Sequence, residues 1–156
     1  TPTMRMIVEV LVVDDSDEDA ALTLASLRSA VPDVAVLRLT DGEQALQFLC
    51  ATDGYAARPV GLPKLVLLDL HMPGMDGIAL LQSLRARPGM QAMPVVLWTS
   101  SSNPLSIERA AKAGATAYRV KPQSLDAYRA EIDMIVQRWL QRDAIAPSLI
   151  TSKRSA

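Results

Sequence analysis

The sequence predicts an α/β domain: a doubly wound sheet of five parallel strands, built from five successive strand–helix units. Three observations carry that prediction. Five short runs rich in aliphatic and β-branched residues alternate with longer segments of helical period. Three of those runs are continuously apolar, as parallel strands covered on both faces should be, whereas a sheet with one wet face would alternate. The intervening segments also carry readable start and stop residues.

The strands are expected over residues 7–13, 34–39, 64–68, 94–98 and 116–120, with unbroken apolar stretches at 10–13, 65–68 and 95–97. Ala20, Leu24, Leu27 and Val31 mark a first amphipathic helix. Thr40 and Glu43 stand at capping-box spacing before a second helix containing Ala45, Leu46 and Leu49. Ile78, Leu81 and Leu84 mark a third. Asn103 followed by Pro104 reads as the cap and first residue of a fourth, which Gly114 ends. Leu125, Tyr128, Ile132, Ile135 and Trp139 line a final helix expected over 124–142. Right-handed crossovers then place helical layers on both faces of the sheet.

The 156 residues suffice for one domain that buries about two-thirds of its extended surface. At 49% hydrophobic and 21% charged, the composition excludes a disordered chain. No apolar run is long enough to span a bilayer, since Glu9 and Asp69 interrupt the two greasiest stretches. Residues 1–5 lack the pattern of a secretory signal, and the single cysteine, Cys50, excludes an internal disulfide framework. Both points lead to an expected cytoplasmic location. Residues 1–78 carry 5 basic and 12 acidic groups, whereas residues 79–156 carry 11 basic and 5 acidic. With a pI near 5.8, nothing recommends nucleic acid as a partner.

Ligands of open parallel sheets bind beyond the carboxyl ends of the strands. Here those ends deliver Asp14 and Asp15 after strand one, Asp69 after strand three, Thr99 after strand four and Lys121 after strand five. Three crowded carboxylates need a cation or raised pKa values, and an all-oxygen set suits Mg²⁺. Thr99 and Lys121 would cover the remaining oxygens of a phosphoryl group, so the set points to phosphoryl transfer onto a carboxylate.

In these residues the chain resembles the receiver domains of two-component response regulators. The match rests on the Asp14-Asp15 pair, the stretch Leu68-Asp69-Leu70-His71-Met72-Pro73-Gly74-Met75-Asp76-Gly77, Thr99-Ser100-Ser101 and Lys121-Pro122. The resemblance covers residues 6–142 and implies a flavodoxin-like strand order, 2-1-3-4-5; residues 1–5 are expected to be a leader and 143–156 a tail, too short for a DNA-binding output domain. It implies that Asp69 accepts a phosphoryl group from a sensor histidine kinase and that Mg²⁺ is held by Asp14, Asp15, Asp69 and the His71 backbone carbonyl. Thr99 and Lys121 would contact the phosphoryl oxygens, and Tyr118 would turn inward when Thr99 moves. His71 and Ser101 would flank the path of water to the phosphoryl group. Such a domain catalyses its own phosphorylation and slow dephosphorylation but is not otherwise an enzyme.

The start of the second helix at 41–46, the stretch 52–63, Thr99-Ser100-Ser101-Ser102 and Trp139-Leu140 resemble stand-alone receivers that partner phytochrome-type histidine kinases. These imply a homodimer through the fourth helix, fifth strand and fifth helix, with Tyr118 and Arg119 on or beside that face. Three other readings stay in view. A haloacid-dehalogenase-like phosphatase would need a second Asp where His71 stands, and a flavodoxin-type binder would need a phosphate loop where Asp14 and Asp15 stand. An interaction module of the same fold that is never phosphorylated remains the principal alternative. Among the simpler readings, the run Asp14, Asp15, Asp17, Glu18, Asp19 has as its alternative a merely solvated helix start; Trp98 and Cys50 are expected to pack in the core, and Tyr128 and Trp139 lie either in the core or at an interface.

Overall fold

The computed structural model describes residues 8–50 and 61–140. The elements run β1 (Val10–Val13), α1 (Asp17–Ala30), β2 (Val36–Leu39), α2 (Gly42–Cys50), β3 (Leu65–Leu68), α3 (Gly77–Arg85), β4 (Val95–Thr99), α4 (Pro104–Ala113), β5 (Ala117–Val120) and α5 (Leu125–Trp139). All strand pairs are parallel, in the order β2-β1-β3-β4-β5. The doubly wound fold expected from the sequence is therefore present. The leader at 1–5, the tail at 143–156 and most of the stretch 52–63 lie outside the described residues.

Every residue of β1, β3 and β4 is buried, which is why these strands read as apolar runs. One face of the sheet packs against α2, α3 and α4 through side chains such as Phe48, Leu81 and Ala110. The other packs against α1 and α5 through Leu27, Ile132 and Ile135. Cys50 is half-buried and packs on the edge of the first core.

Helix ends follow the caps, with one shift. Ser16, Asp76, Asn103 and Ser124 each accept a hydrogen bond from the first turn of their helix, and Gly114 takes a left-handed conformation (φ 103°) after α4. The Thr40–Glu43 capping box does not form. Instead Asp41 Oδ1 accepts from Gln44 N at 2.8 Å, while Gln44 Oε1 accepts from Thr40 N at 3.2 Å. Asp is as good a cap as Thr, and the following residue, Gly42, lets α2 pass close to the carbonyl of Met75, where a Cβ would stand only 2.7 Å away.

Two amphipathic faces also differ from expectation. The buried face of α1 is Ala20, Thr23, Ser26 and Leu27, with Leu24 only partly buried and Val31 just past the helix end. Thr23 is turned inward because its hydroxyl lies 2.6 Å from that of Tyr128 and 3.1 Å from Trp98 Nε1. Leu125, the first residue of α5, is 50% exposed, so the buried stripe of α5 begins at Tyr128. Tyr128 and Trp98 are buried edge to face at 5.0 Å, and Trp139 is half-buried beside them.

Candidate phosphoryl and metal site

The site forms where the strands end. Backbone bonds extend the parallel ladder one residue beyond the strands: Asp14 N to Leu39 O (3.1 Å), Asp69 N to Val13 O (2.9 Å) and Lys121 N to Thr99 O (2.7 Å). The candidate residues Asp14, Asp69 and Lys121 are thus tied to the hydrogen-bonded sheet rather than carried on free loop. Carboxylate oxygens of Asp14, Asp15 and Asp69 lie within 4.8 Å of one another, with Asp14 buried, Asp69 half-buried and Asp15 exposed.

Lys121 crosses from the edge strand to meet them. Its Nζ lies 2.7 Å from Asp14 Oδ2 and 3.1 Å from Asp19 Oδ2. Burial works against this ammonium, but Asp14, Asp69 and Asp19 outweigh it and hold its pKa above the ordinary lysine value. Burial raises the pKa of Asp69 and Asp14 adds to the rise, while Lys121, the Thr99 hydroxyl and the Leu70 amide oppose it. That amide donates to Asp69 Oδ1 at 2.8 Å. Four carboxylates, those of Asp14, Asp15, Asp19 and Asp69, thus gather about one ammonium. The surplus negative charge and all-oxygen donors fit a hard divalent cation, and the exposed side of Asp15 opens onto a depression of about 420 Å³ lined by His71, Met72, Pro73, Gly74 and Asp76.

Other contacts fix the acids in place. Asp14 Oδ1 accepts from Ser16 N at 2.9 Å, and its backbone carbonyl accepts from Arg38 Nε at 2.9 Å. Arg38 also pairs with Asp17 at 2.9 Å. Behind Asp69, Gly77 N donates to Leu70 O at 2.9 Å, and any Cβ at Gly77 would overlap the carbonyl of Asp69. The start of α3 therefore presses directly on the backbone of Asp69.

Of the sequence-predicted residues, Asp14, Asp15, Asp69, Thr99 and Lys121 converge. The His71 side chain is exposed at the rim. Thr99 Oγ1 accepts from Ser101 N at 3.3 Å, and the Tyr118 hydroxyl donates to Ser101 O at 2.8 Å, so Tyr118 is joined to Thr99 through one loop residue. Arg119 stays outside the cluster and pairs with Glu131 of α5 at 3.4 Å. Sequence reasoning missed Asp19 and Arg38. The alternative of a merely solvated helix start does not hold for Asp17 and Asp19, which are ion-paired, one to Arg38 of β2 and one to Lys121. Only the placement of α1's first turn between β2 and β5 reveals this.

The profile of the response regulator receiver domain family matches residues 10–133. Response regulator Rcp1 of Synechocystis sp. (strain PCC 6803) is 30% identical over 132 residues, spanning 85% of this chain and 88% of Rcp1. Among solved structures, the phosphorylated cyanobacterial phytochrome response regulator RcpA superposes with a TM-score of 0.79 at 26% identity, covering 85% of this chain and 93% of RcpA. The Mn²⁺-bound form of Rcp1 gives 0.73 at 27% identity, covering 94% and 98%.

Proposed function

This chain belongs to the response regulator receiver domains, a family of signalling proteins rather than turnover enzymes, and on that premise we propose that Asp69 accepts a phosphoryl group from the phosphohistidine of a sensor kinase. The observation that carries the reading is the approach of Asp14, Asp15 and Asp69 oxygens to within 4.8 Å beside the Lys121 ammonium. The similarity to the phytochrome response regulator RcpA supports a kinase of phytochrome type.

In the proposed reaction an Asp69 oxygen forms the new P–O bond while the P–N bond to the donor imidazole breaks. The imidazole nitrogen keeps the electron pair and takes up a proton. Asp15 and Asp69, the backbone carbonyl of His71 and, largely through water, Asp14 would hold a divalent ion, for which we propose Mg²⁺. When bound, that ion supplies Lewis-acid neutralisation of the phosphoryl oxygens, worth several kcal/mol. Lys121 neutralises a further oxygen and offsets the repulsion between the attacking carboxylate and the anionic donor. His71 and Ser101 flank the approach of water and so set the rate of slow self-dephosphorylation.

The phosphorylated carboxylate adds dianionic charge and three acceptors. The Thr99 hydroxyl turns toward one of them, and the linked Ser101 loop carries Tyr118 with it. The change reaches α4 in the face made by α4, β5 and α5, where Leu105, Ile107, Val120 and Leu125 are exposed and Arg119 lies alongside. We assign this face to homodimer formation. A cytoplasmic location accords with the role, and no helix among the described residues is long and apolar enough to cross a membrane.

The test is Mg²⁺-dependent labelling by acetyl phosphate, followed by an acid-lability assay. The unsubstituted chain should acquire one acid-labile phosphoryl group and Asp69→Asn none, with unchanged circular dichroism. Equal labelling of Asp69→Asn would dismiss Asp69 as the acceptor. A chain that takes no label would instead be a silent interaction module.

A further inference from the structure

Asp19 takes no part in the steps above, yet its carboxylate holds the one ammonium on which they depend. Lys121 has three N–H donors, and two are already directed, one to Asp14 Oδ2 at 2.7 Å and one to Asp19 Oδ2 at 3.1 Å. The two acceptors are unequal. Asp14 is buried, and its second oxygen is committed to Ser16 N. The Asp19 side chain is 43% exposed, so water can replace Lys121 there at small cost. Of the two, Asp19 is the acceptor that can give way.

The backbone of Asp19 is fixed. Its N–H donates to Ser16 Oγ at 3.2 Å, and its carbonyl accepts from the Tyr128 hydroxyl at 3.4 Å. Only the carboxylate is left to release or recapture the lysine. We propose that Asp19 is a positioning residue that draws one Lys121 donor toward α1 in the unphosphorylated chain and competes with the incoming phosphoryl group for it. This rests on the reading of Asp69 as phospho-acceptor. A field effect of any nearby negative charge would be shared by Asp17, which pairs with Arg38 at 2.9 Å and not with Lys121. Competition for the ammonium would not.

The experiment measures the initial rate of acid-labile labelling by acetyl phosphate with Mg²⁺, on the full chain. The variants are Asp19→Asn, Asp19→Ser, Asp19→Glu and Asp17→Asn, with melting temperatures taken in parallel. Asp19→Asn should raise the rate by about fivefold, the size expected for loss of a partly exposed ion pair. Asp19→Ser keeps a short polar group in the first helical turn and should do the same even if the amide disturbs the fold. Asp19→Glu, which restores the carboxylate, should return to within about twofold of the parent, and Asp17→Asn should stay within the same range. Rates for both Asn and Ser variants no higher than the parent's, or an equal gain in Asp17→Asn, would overturn the proposal while leaving Asp69 as acceptor. A parent chain that takes no label would overturn both.

Discussion

The two helices flanking edge strand β5 are attached to the sheet by different means. On one side α5 buries Tyr128, Ile132, Ile135 and Val136 and closes a polar network in which Trp98, Thr23 and Tyr128 satisfy one another. On the other side α4 buries only Ala110, leaving Leu105 60% and Ile107 39% exposed. Its fixed points are its ends: the Asn103 cap, and the Arg85 guanidinium, which donates to Gly114 O at 2.9 Å and Met90 O at 2.6 Å. Burial scales with the work needed to lift an element from the sheet. The α5 side is therefore the frame that holds Asp19 and Lys121 in place, and α4, with the Tyr118–Ser101 link beside it, is the part free to repack.

The sharpest way to break this contrast is Trp98→Ala. Removing a buried indole and orphaning its partners should cost about 4 kcal/mol. Urea unfolding measures it, and a loss under about 1.5 kcal/mol would show the α5 side to be no firmer than an ordinary surface contact.

Tyr128→Phe is the next largest, at about 1–2 kcal/mol, because Thr23 and the Trp98 N–H lose a shared partner in a dry interior. It also has a pH signature. Burial raises the pKa of Tyr128 above its ordinary 10.0, more than the Thr23 and Trp98 hydrogen bonds lower it. Above pH 10 the unfolded chain therefore loses this proton first, and stability falls as pH rises toward the folded value. Lys121, raised as well, adds to the same alkaline decline, so the Phe variant should show a shallower fall and not a flat one.

Leu105→Ser sharpens the contrast from the other side. The residue is mostly exposed, so unfolding should change by no more than about 0.5 kcal/mol, while self-association measured by sedimentation should weaken. A large loss of stability would mean that α4 is packed far more tightly than its exposure indicates.

The parts legible in the sequence were those written locally. Fully buried parallel strands leave unbroken apolar runs, and strand ends can be found by counting, so the sequence alone puts Asp14, Asp15, Asp69, Thr99 and Lys121 at one edge of the sheet. What escaped depends on distant partners. Asp19 looks like any acid near a helix start, and only the arrival of Lys121 from 102 residues away gives it a second role. Thr23 looks like an interruption of an apolar face until Tyr128, 105 residues on, supplies its partner. The α2 cap was misread by one position because Thr40 and Asp41 are both good caps, and the close approach of Gly42 to Met75 decides between them. The stretch 51–60 and the residues beyond Leu140 lie outside the described residues.

Gly77 contributes no side chain, yet it governs how far Asp69 stands out from the sheet. Because the first residue of α3 abuts the carbonyl of Asp69, even an alanine there would have to push the strand end aside or tilt the helix. Either movement would alter the spacing between Asp69 and the aspartates at the end of β1. Efforts to graft this chemistry elsewhere, or to retune it, therefore have to treat the bare backbone at position 77 as one of the dimensions of the site.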